Sequence, residues 1–262
     1  MVLKYALGLL FLLILAGFLE RRILQIHQAR ATSTFDRCRV IAVYDGDTIR
    51  VRFKNGLSRK VRLIGIDAPE TGAKGEKERF KAFMAKRFTF FHLFGKEVKI
   101  SYDWEIEDKY QRLLAYVWTD GEDLFNTFLL REGFAKALQH IPFREDYRKE
   151  FILAEQEAHK RGKGIWNQGA FPLISLKKWK DAVGKIVTVV FLCSQVEKRS
   201  KFLFLRDAGG EFAALIPEEN ISLFPELKEN EGKKLAVIGF LEVYKNKPQI
   251  LVFLPMQIQR IH

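Results

Sequence analysis

From Cys38 onward, apolar and polar positions alternate in short runs. Arg39–Tyr44, Thr48–Phe53 and Lys60–Ile66 read as strands, with Asp45-Gly46 and Asn55-Gly56 at the turns between them. Asn-Gly between strand-like residues is a strong hairpin signal, because both positions tolerate positive φ. Residues 75–93 change period: Phe80, Phe83, Met84, Phe88 and Phe91 recur every three or four positions among Lys, Arg and Glu. That spacing predicts a helix packed through one aromatic stripe, closed by Gly95. Strands at Glu97–Tyr102 and Leu113–Thr119 follow, then a helix carrying Leu124, Phe125, Phe128 and Leu129. A last helix runs from about Phe143 to Lys160, with Tyr147, Phe151, Ala154 and Ala158 on one side. Five short strands with one helix after the third and two after the fifth predict a small closed barrel over residues 36–168, its open end covered by helices.

Residues 169–182, with Pro172 and the Lys177-Lys178 pair, read as a linker. Strand-like runs then resume at Lys185–Gln195, Lys201–Arg206, Glu211–Ile216, Lys233–Val243 and Gln249–Leu254, with a short helix around Glu218–Phe224. Five strands with a helix between the third and fourth predict a second small closed barrel over residues 183–262. The fold class expected is therefore mainly β with helices, in two barrels.

The N-terminal segment breaks this pattern. Fifteen uncharged residues, Tyr5–Leu19, lie between Lys4 and the group Glu20, Arg21 and Arg22. Residues 1–30 read as an export signal or a short membrane anchor, and the expected location is outside the cytoplasm, either membrane-anchored or secreted after cleavage. The chain carries 44 Lys and Arg against 32 Asp and Glu, a formal charge of +12, of which residues 183–262 hold only 11 basic and 9 acidic groups. The basic excess upstream favours a polyanionic partner, nucleic acid or anionic membrane. With only two cysteines, Cys38 and Cys193, and no close histidine pair, a disulfide framework, a Cys/His zinc set and a nucleophile triad are all excluded as organising features.

Polar residues concentrate beside the turns of the first unit: Asp45-Gly-Asp47-Thr48, Arg62-Leu-Ile-Gly-Ile-Asp67-Ala-Pro-Glu70 and Asp108-Lys-Tyr-Gln-Arg112. Asp47 and Asp67 offer hard oxygen ligands for a calcium ion if the barrel brings their strand ends together. Glu70, across a stiffening proline, is placed to orient or deprotonate a water. Arg62 and Arg112 suit a phosphate whose negative charge grows in the transition state. Taken singly, Asp-Gly-Asp also reads as a plain turn and each arginine as a surface ion pair; the ordered set on one domain favours chemistry.

These three segments resemble the signature segments of the staphylococcal nuclease (thermonuclease) family, and Arg131-Glu-Gly-Phe-Ala-Lys136 and Gly162-Lys-Gly-Ile-Trp166 resemble its later ones. The resemblance covers about residues 36–168. It implies a five-stranded oligonucleotide-binding (OB) barrel with three helices and calcium-dependent hydrolysis of DNA and RNA that leaves a 3′-phosphate. By position, Asp47, Asp67 and the backbone carbonyl of Ala68 resemble the metal ligands, Glu70 the general base, and Arg62 and Arg112 the phosphate-binding pair. Ala68 stands where the best-known member has threonine.

Lys74, Lys109 and Tyr110 are candidates for substrate contacts farther along the chain of nucleotides. The second unit resembles small nucleic-acid-binding OB domains, and Phe202, Phe204, Arg206 and Tyr244 are its candidate contacts. The competing expectation is a catalytically inactive nuclease-like module that binds nucleic acid or protein at a membrane surface.

Overall fold

Burial alternates along the first three strands, β1 (Asp36–Val43), β2 (Thr48–Phe53) and β3 (Ser58–Leu63), in a computed structural model that describes residues 35–261 apart from 122, 139–141 and 168. Val40, Ile49, Val51, Val61 and Leu63 are buried, while Arg39, Arg52 and Lys60 stay in solvent, the period-two pattern of a half-buried sheet. The chain continues through β4 (Ile66–Asp67), helix α1 (Glu76–Leu93), β5 (Glu97–Glu107), β6 (Leu113–Trp118), helix α2 (Phe125–Arg131), β7 (Lys136–Ala137) and helix α3 (Glu145–Lys160). Strands β1, β2, β3, β6 and β5 close in that order into a barrel, antiparallel except where β3 runs parallel to β6. The first expected barrel and its three helices are thus present.

The expected third strand ends early. Leu63 is its last residue, and Ile64 donates its N–H to Ala115 O at 3.0 Å. Ile66–Asp67 instead pairs with β7, setting Asp67 opposite Lys136. Buried Asn126 holds this departure in place, donating to Ile64 O at 2.9 Å and accepting from Val117 N at 3.0 Å.

The stretch read as a linker contains β8 (Leu173–Ile174) and a 3-10 turn, Leu176–Ala182. Beyond it come β9 (Ile186–Leu192), β10 (Gln195–Arg199), β11 (Phe202–Arg206), β12 (Ala213–Pro217), β13 (Lys234–Tyr244), β14 (Lys247–Leu251) and β15 (Ile258–Ile261). The second closed barrel expected here is not what forms. The strands make one open sheet in the order β10-β11-β12-β14-β13-β9-β8, with β15 on the other edge of β13. The run expected as a single strand, Lys185–Gln195, breaks at Cys193-Ser194: Cys193 N–H donates to Lys233 O at 2.9 Å and Ser194 N–H to Arg206 O at 2.8 Å. β9 therefore stays with β13, β10 goes to β11, and among the described residues no ladder joins the two ends of the sheet.

The two units share an interior. Phe240 and Leu254, from the second, lie in the same apolar cluster as the barrel core. Cys38 and Cys193 are both buried and free. The expectation of a membrane partner and a membrane-anchored location is corrected by the helices: among the described residues none is long and apolar enough to cross a membrane. The apolar run 5–19, on which the anchor and signal readings fell, lies outside the described residues.

Candidate active site

The β1–β2 turn carries Asp45, Gly46 and Asp47, and three contacts hold it. Thr89 of α1 donates its hydroxyl to Gly46 O at 2.6 Å. Thr71 donates to Asp45 Oδ1 at 2.9 Å. Ala68 N–H donates to Asp47 Oδ2 at 2.6 Å. Asp47 is only 1% exposed; its Oδ1 accepts the Thr48 hydroxyl at 3.0 Å and its Oδ2 lies 3.2 Å from Arg62 Nη1. Burial pushes the Asp47 carboxyl above the usual range, while Arg62, the Ala68 amide and the Thr48 hydroxyl pull it down.

Arg62, on β3, is fixed by more than one acid. Its Nη1 donates to Leu63 O at 3.0 Å and Ile66 O at 2.8 Å, and its Nη2 to Asp67 Oδ1 at 2.9 Å. The early end of β3 makes this possible, because the chain curls around the guanidinium and presents two carbonyls to it. The Asp67 side chain is half exposed. Ala68 is buried, with its amide committed to Asp47.

Glu70 is exposed in the loop after β4. Partial burial and the carboxylates of Asp45, Asp47 and Asp67 raise its carboxyl above the ordinary range, against the pull of Arg62. Arg62 thus bridges Asp47 and Asp67, with Glu70 inside their field.

Arg112 belongs to the β5–β6 hairpin, and its contacts among the described residues run to that hairpin. Its Nε donates to Asp108 Oδ2 at 2.8 Å, and Asp108 Oδ1 accepts the backbone N–H of Tyr110 at 2.9 Å and of Arg112 at 3.0 Å. Burial acts upward on Asp108, but these hydrogen bonds outweigh it and hold the carboxyl below the usual range. Tyr110 is 66% exposed, with Lys109 Nζ 5.1 Å and the Arg112 guanidinium 5.4 Å from its ring centre. Parallel pairing of β3 with β6 sets Arg62 opposite Leu114, which puts this hairpin beside the acid cluster. Lys74 is exposed in the loop leading to α1.

On β11, Phe202, Phe204 and Arg206 alternate onto one face, opposite Leu203 and Leu205, which pack in the second core. The Arg206 guanidinium lies over the Phe204 ring at 4.5 Å. Tyr244 is exposed at the far end of β13, with Lys245 over its ring, and is not part of that group.

Sequence reasoning missed the other wall of the site. A cleft of about 390 Å³ is lined by Asp67, Ala68 and Glu70 together with Lys81, Lys136 and Trp166. Trp166 arrives there through two glycines: a Cβ on Gly133 would sit 2.3 Å from Lys163 O, and one on Gly164 would sit 2.1 Å from Gly133 O. Only bare backbones fit, and Ile165 N–H then bonds Gly133 O at 2.7 Å. Lys136 Nζ lies 5.7 Å from the Trp166 ring centre. The available signal was the pair of segments Arg131–Lys136 and Gly162–Trp166, whose glycines meet here.

Residues 60–168 match the family model described as "Staphylococcal nuclease homologue". The chain is 41% identical over 126 residues to the thermonuclease of Staphylococcus intermedius, a match covering 48% of this chain and 73% of that protein. It is 39% identical over 129 residues to the thermonuclease of Staphylococcus hyicus, covering 49% and 75%. Endonuclease YncB of Bacillus subtilis is 35% identical over 129 residues, covering 48% and 60%.

Proposed function

This chain belongs to the staphylococcal nuclease family, and from that premise we propose that it hydrolyses phosphodiester bonds of DNA and/or RNA, with residues 36–168 as the catalytic unit and Ca²⁺ as cofactor. The observation that carries this reading is the interlocked group Asp47, Arg62 and Asp67 with Glu70 exposed beside it.

The donor chemistry fits a hard cation. Asp47, Asp67 and the Ala68 carbonyl are all oxygen donors, and among the described residues no imidazole or thiol lines the cleft. Calcium takes roughly six to eight oxygens, and among the described residues no three candidate ligand side chains group together, so this reading leaves most positions to water and substrate. When bound, the cation polarises the phosphate and offsets its charge.

The chain's own groups divide the remaining work. Glu70, its proton affinity raised by burial and the neighbouring carboxylates, accepts a proton from the attacking water. Arg62 and Arg112 meet the phosphate oxygens as charge grows there. Both guanidiniums are held before substrate arrives, Arg62 by two carbonyls and two acids and Arg112 by Asp108. The bond to the 5′-oxygen breaks, leaving a 3′-phosphate and a 5′-hydroxyl. Lys74, Lys109 and Tyr110 contact neighbouring nucleotides, and Phe202, Phe204, Arg206 and Tyr244 give longer substrates further contacts.

Incubating the full chain with single-stranded DNA and RNA, with calcium or with a chelator, tests this. Glu70→Gln should lower the rate by about 10²–10⁴-fold, Arg112→Ala by about 10²–10³-fold, and chelation should abolish cleavage. Cleavage indifferent to all three would sink the mechanism; binding without cleavage would favour a non-catalytic nucleic-acid module.

A further inference from the structure

The active-site cleft does not end at Trp166. Lys81, Ile165 and Asn167 line both that cleft and a second cavity of about 380 Å³, a volume within the range of about 300–1,000 Å³ typical of small-ligand sites. The second cavity lies between the two units. Phe80 and Met84 of α1 and Phe134 form one side, Phe171, Ile186 and Met256 from the C-terminal part of the chain form the other, and Lys77 and Lys81 line it as well. Phe80 and Phe171 meet edge to face at 5.9 Å. Asn167, at the junction, adds a carboxamide whose oxygen accepts Gly169 N–H at 2.7 Å.

We propose that this crevice is a base-binding subsite, taking the nucleobase of a nucleotide on one side of the scissile phosphate, with Lys77, Lys81 and Lys136 meeting the intervening backbone charge. The proposal rests on the nuclease reading above and extends it to the part of the chain beyond residue 168. An apolar, partly aromatic crevice with cations beside it matches the chemistry of a nucleotide, a flat ring on an anionic backbone. The wall is not uniformly positive: Glu78 also lines the active-site cleft and pairs with Lys81 at 2.8 Å. A phosphate bound there therefore competes with Glu78 for that lysine, leaving Lys77 and Lys136 as the less committed cations. A base can enter only if it is unpaired, which sets the choice of probe.

The test uses the full chain, a Lys77→Ala variant, whose lysine lines the crevice and not the active-site cleft, and a Met256→Trp variant that fills the crevice from its exposed edge. Each is assayed on a single-stranded oligonucleotide and on bis(p-nitrophenyl) phosphate, which is too small to span cleft and crevice. Both variants should raise KM for the oligonucleotide about tenfold, leave kcat unchanged and leave the small diester untouched. In the unmodified protein, an abasic nucleotide walked along the substrate should reproduce the loss at one position only. Unchanged KM in both variants, or parallel loss on both substrates, would overturn the subsite. Fluorescence anisotropy of a labelled oligonucleotide reads the same site without turnover. If neither substrate is cleaved by the unmodified protein, the hydrolytic reading fails alone, and equal binding by all three proteins then decides against the crevice.

Discussion

Between Asp45 and Asp47 there is space for a backbone and no side chain. A Cβ on Gly46 would lie 2.7 Å from Ala68 Cβ and 2.9 Å from Ala85 Cβ. The first of these neighbours carries the amide that binds Asp47, and the second belongs to the helix whose Thr89 holds the turn. Gly46→Ala must therefore push apart the two supports of the acid site. We expect a loss of about 1–3 kcal/mol in unfolding free energy, the usual cost of overpacking. Nuclease activity should fall further than that loss explains, even at temperatures where the variant is fully folded. Denaturant unfolding beside initial rates makes the check; an unchanged unfolding midpoint would show that α1 moves aside freely and that the contact does not set the geometry.

At the scale of elements, α1 carries both the site and the join between the units. Phe80, Met84 and Phe88 are buried in the barrel core, whereas Phe83 stacks on Phe253 at 4.6 Å and Phe91 meets Phe240 at 5.4 Å. His92, at its end, packs among Phe88, Phe91 and Phe128. Burial, helped by nearby Lys96 and opposed by Glu132, lowers its pKa from 6.5 to about 4. The folded state thus keeps the ring neutral where the unfolded chain would protonate it. The stabilising difference is intact above about pH 6.5 and is lost as pH falls from there toward 4. Melting temperature should consequently drop more between pH 7 and pH 5 in the unmodified protein than in His92→Phe; parallel curves would count against the assignment. Periodicity revealed that this helix was aromatic but placed all five of its residues on one stripe, because spacing alone does not show that a second unit covers another face. The acids and arginines were legible because they cluster beside turns. Lys81, Lys136 and Trp166 were not, since three distant segments supply them and only the Gly133–Gly164 contact brings two of those segments together. Strand positions in the second unit could likewise be read from alternation. Its failure to close could not, because that depends on where the backbone hydrogen bonds of Cys193 and Ser194 go.

For the whole molecule, the decisive feature is that the second unit is built into the first. Arg87 of α1 donates through Nε to Glu242 Oε1 at 2.7 Å, and both side chains are largely buried. Met256 N–H bonds Glu76 Oε1 at 3.0 Å, and a Cβ on Gly184 would lie 3.1 Å from Phe91 Cε1. A buried ion pair of this kind adds little over an apolar pair of the same shape, but removing one partner strands the other. Glu242→Ala should therefore cost about 3 kcal/mol by leaving the Arg87 guanidinium buried without its carboxylate. Arg87→Met combined with Glu242→Leu should recover most of that loss. Because the aromatic contacts of α1 tie both cores together, unfolding should remain a single transition in the unmodified protein, with barrel and sheet lost together. Calorimetry and denaturant titration followed by tryptophan fluorescence read both points. Two separated transitions, or a double variant no more stable than Glu242→Ala, would mean that the units fold independently and that the crevice between them is a loose seam, in which a base could not be held in fixed register with the scissile phosphate.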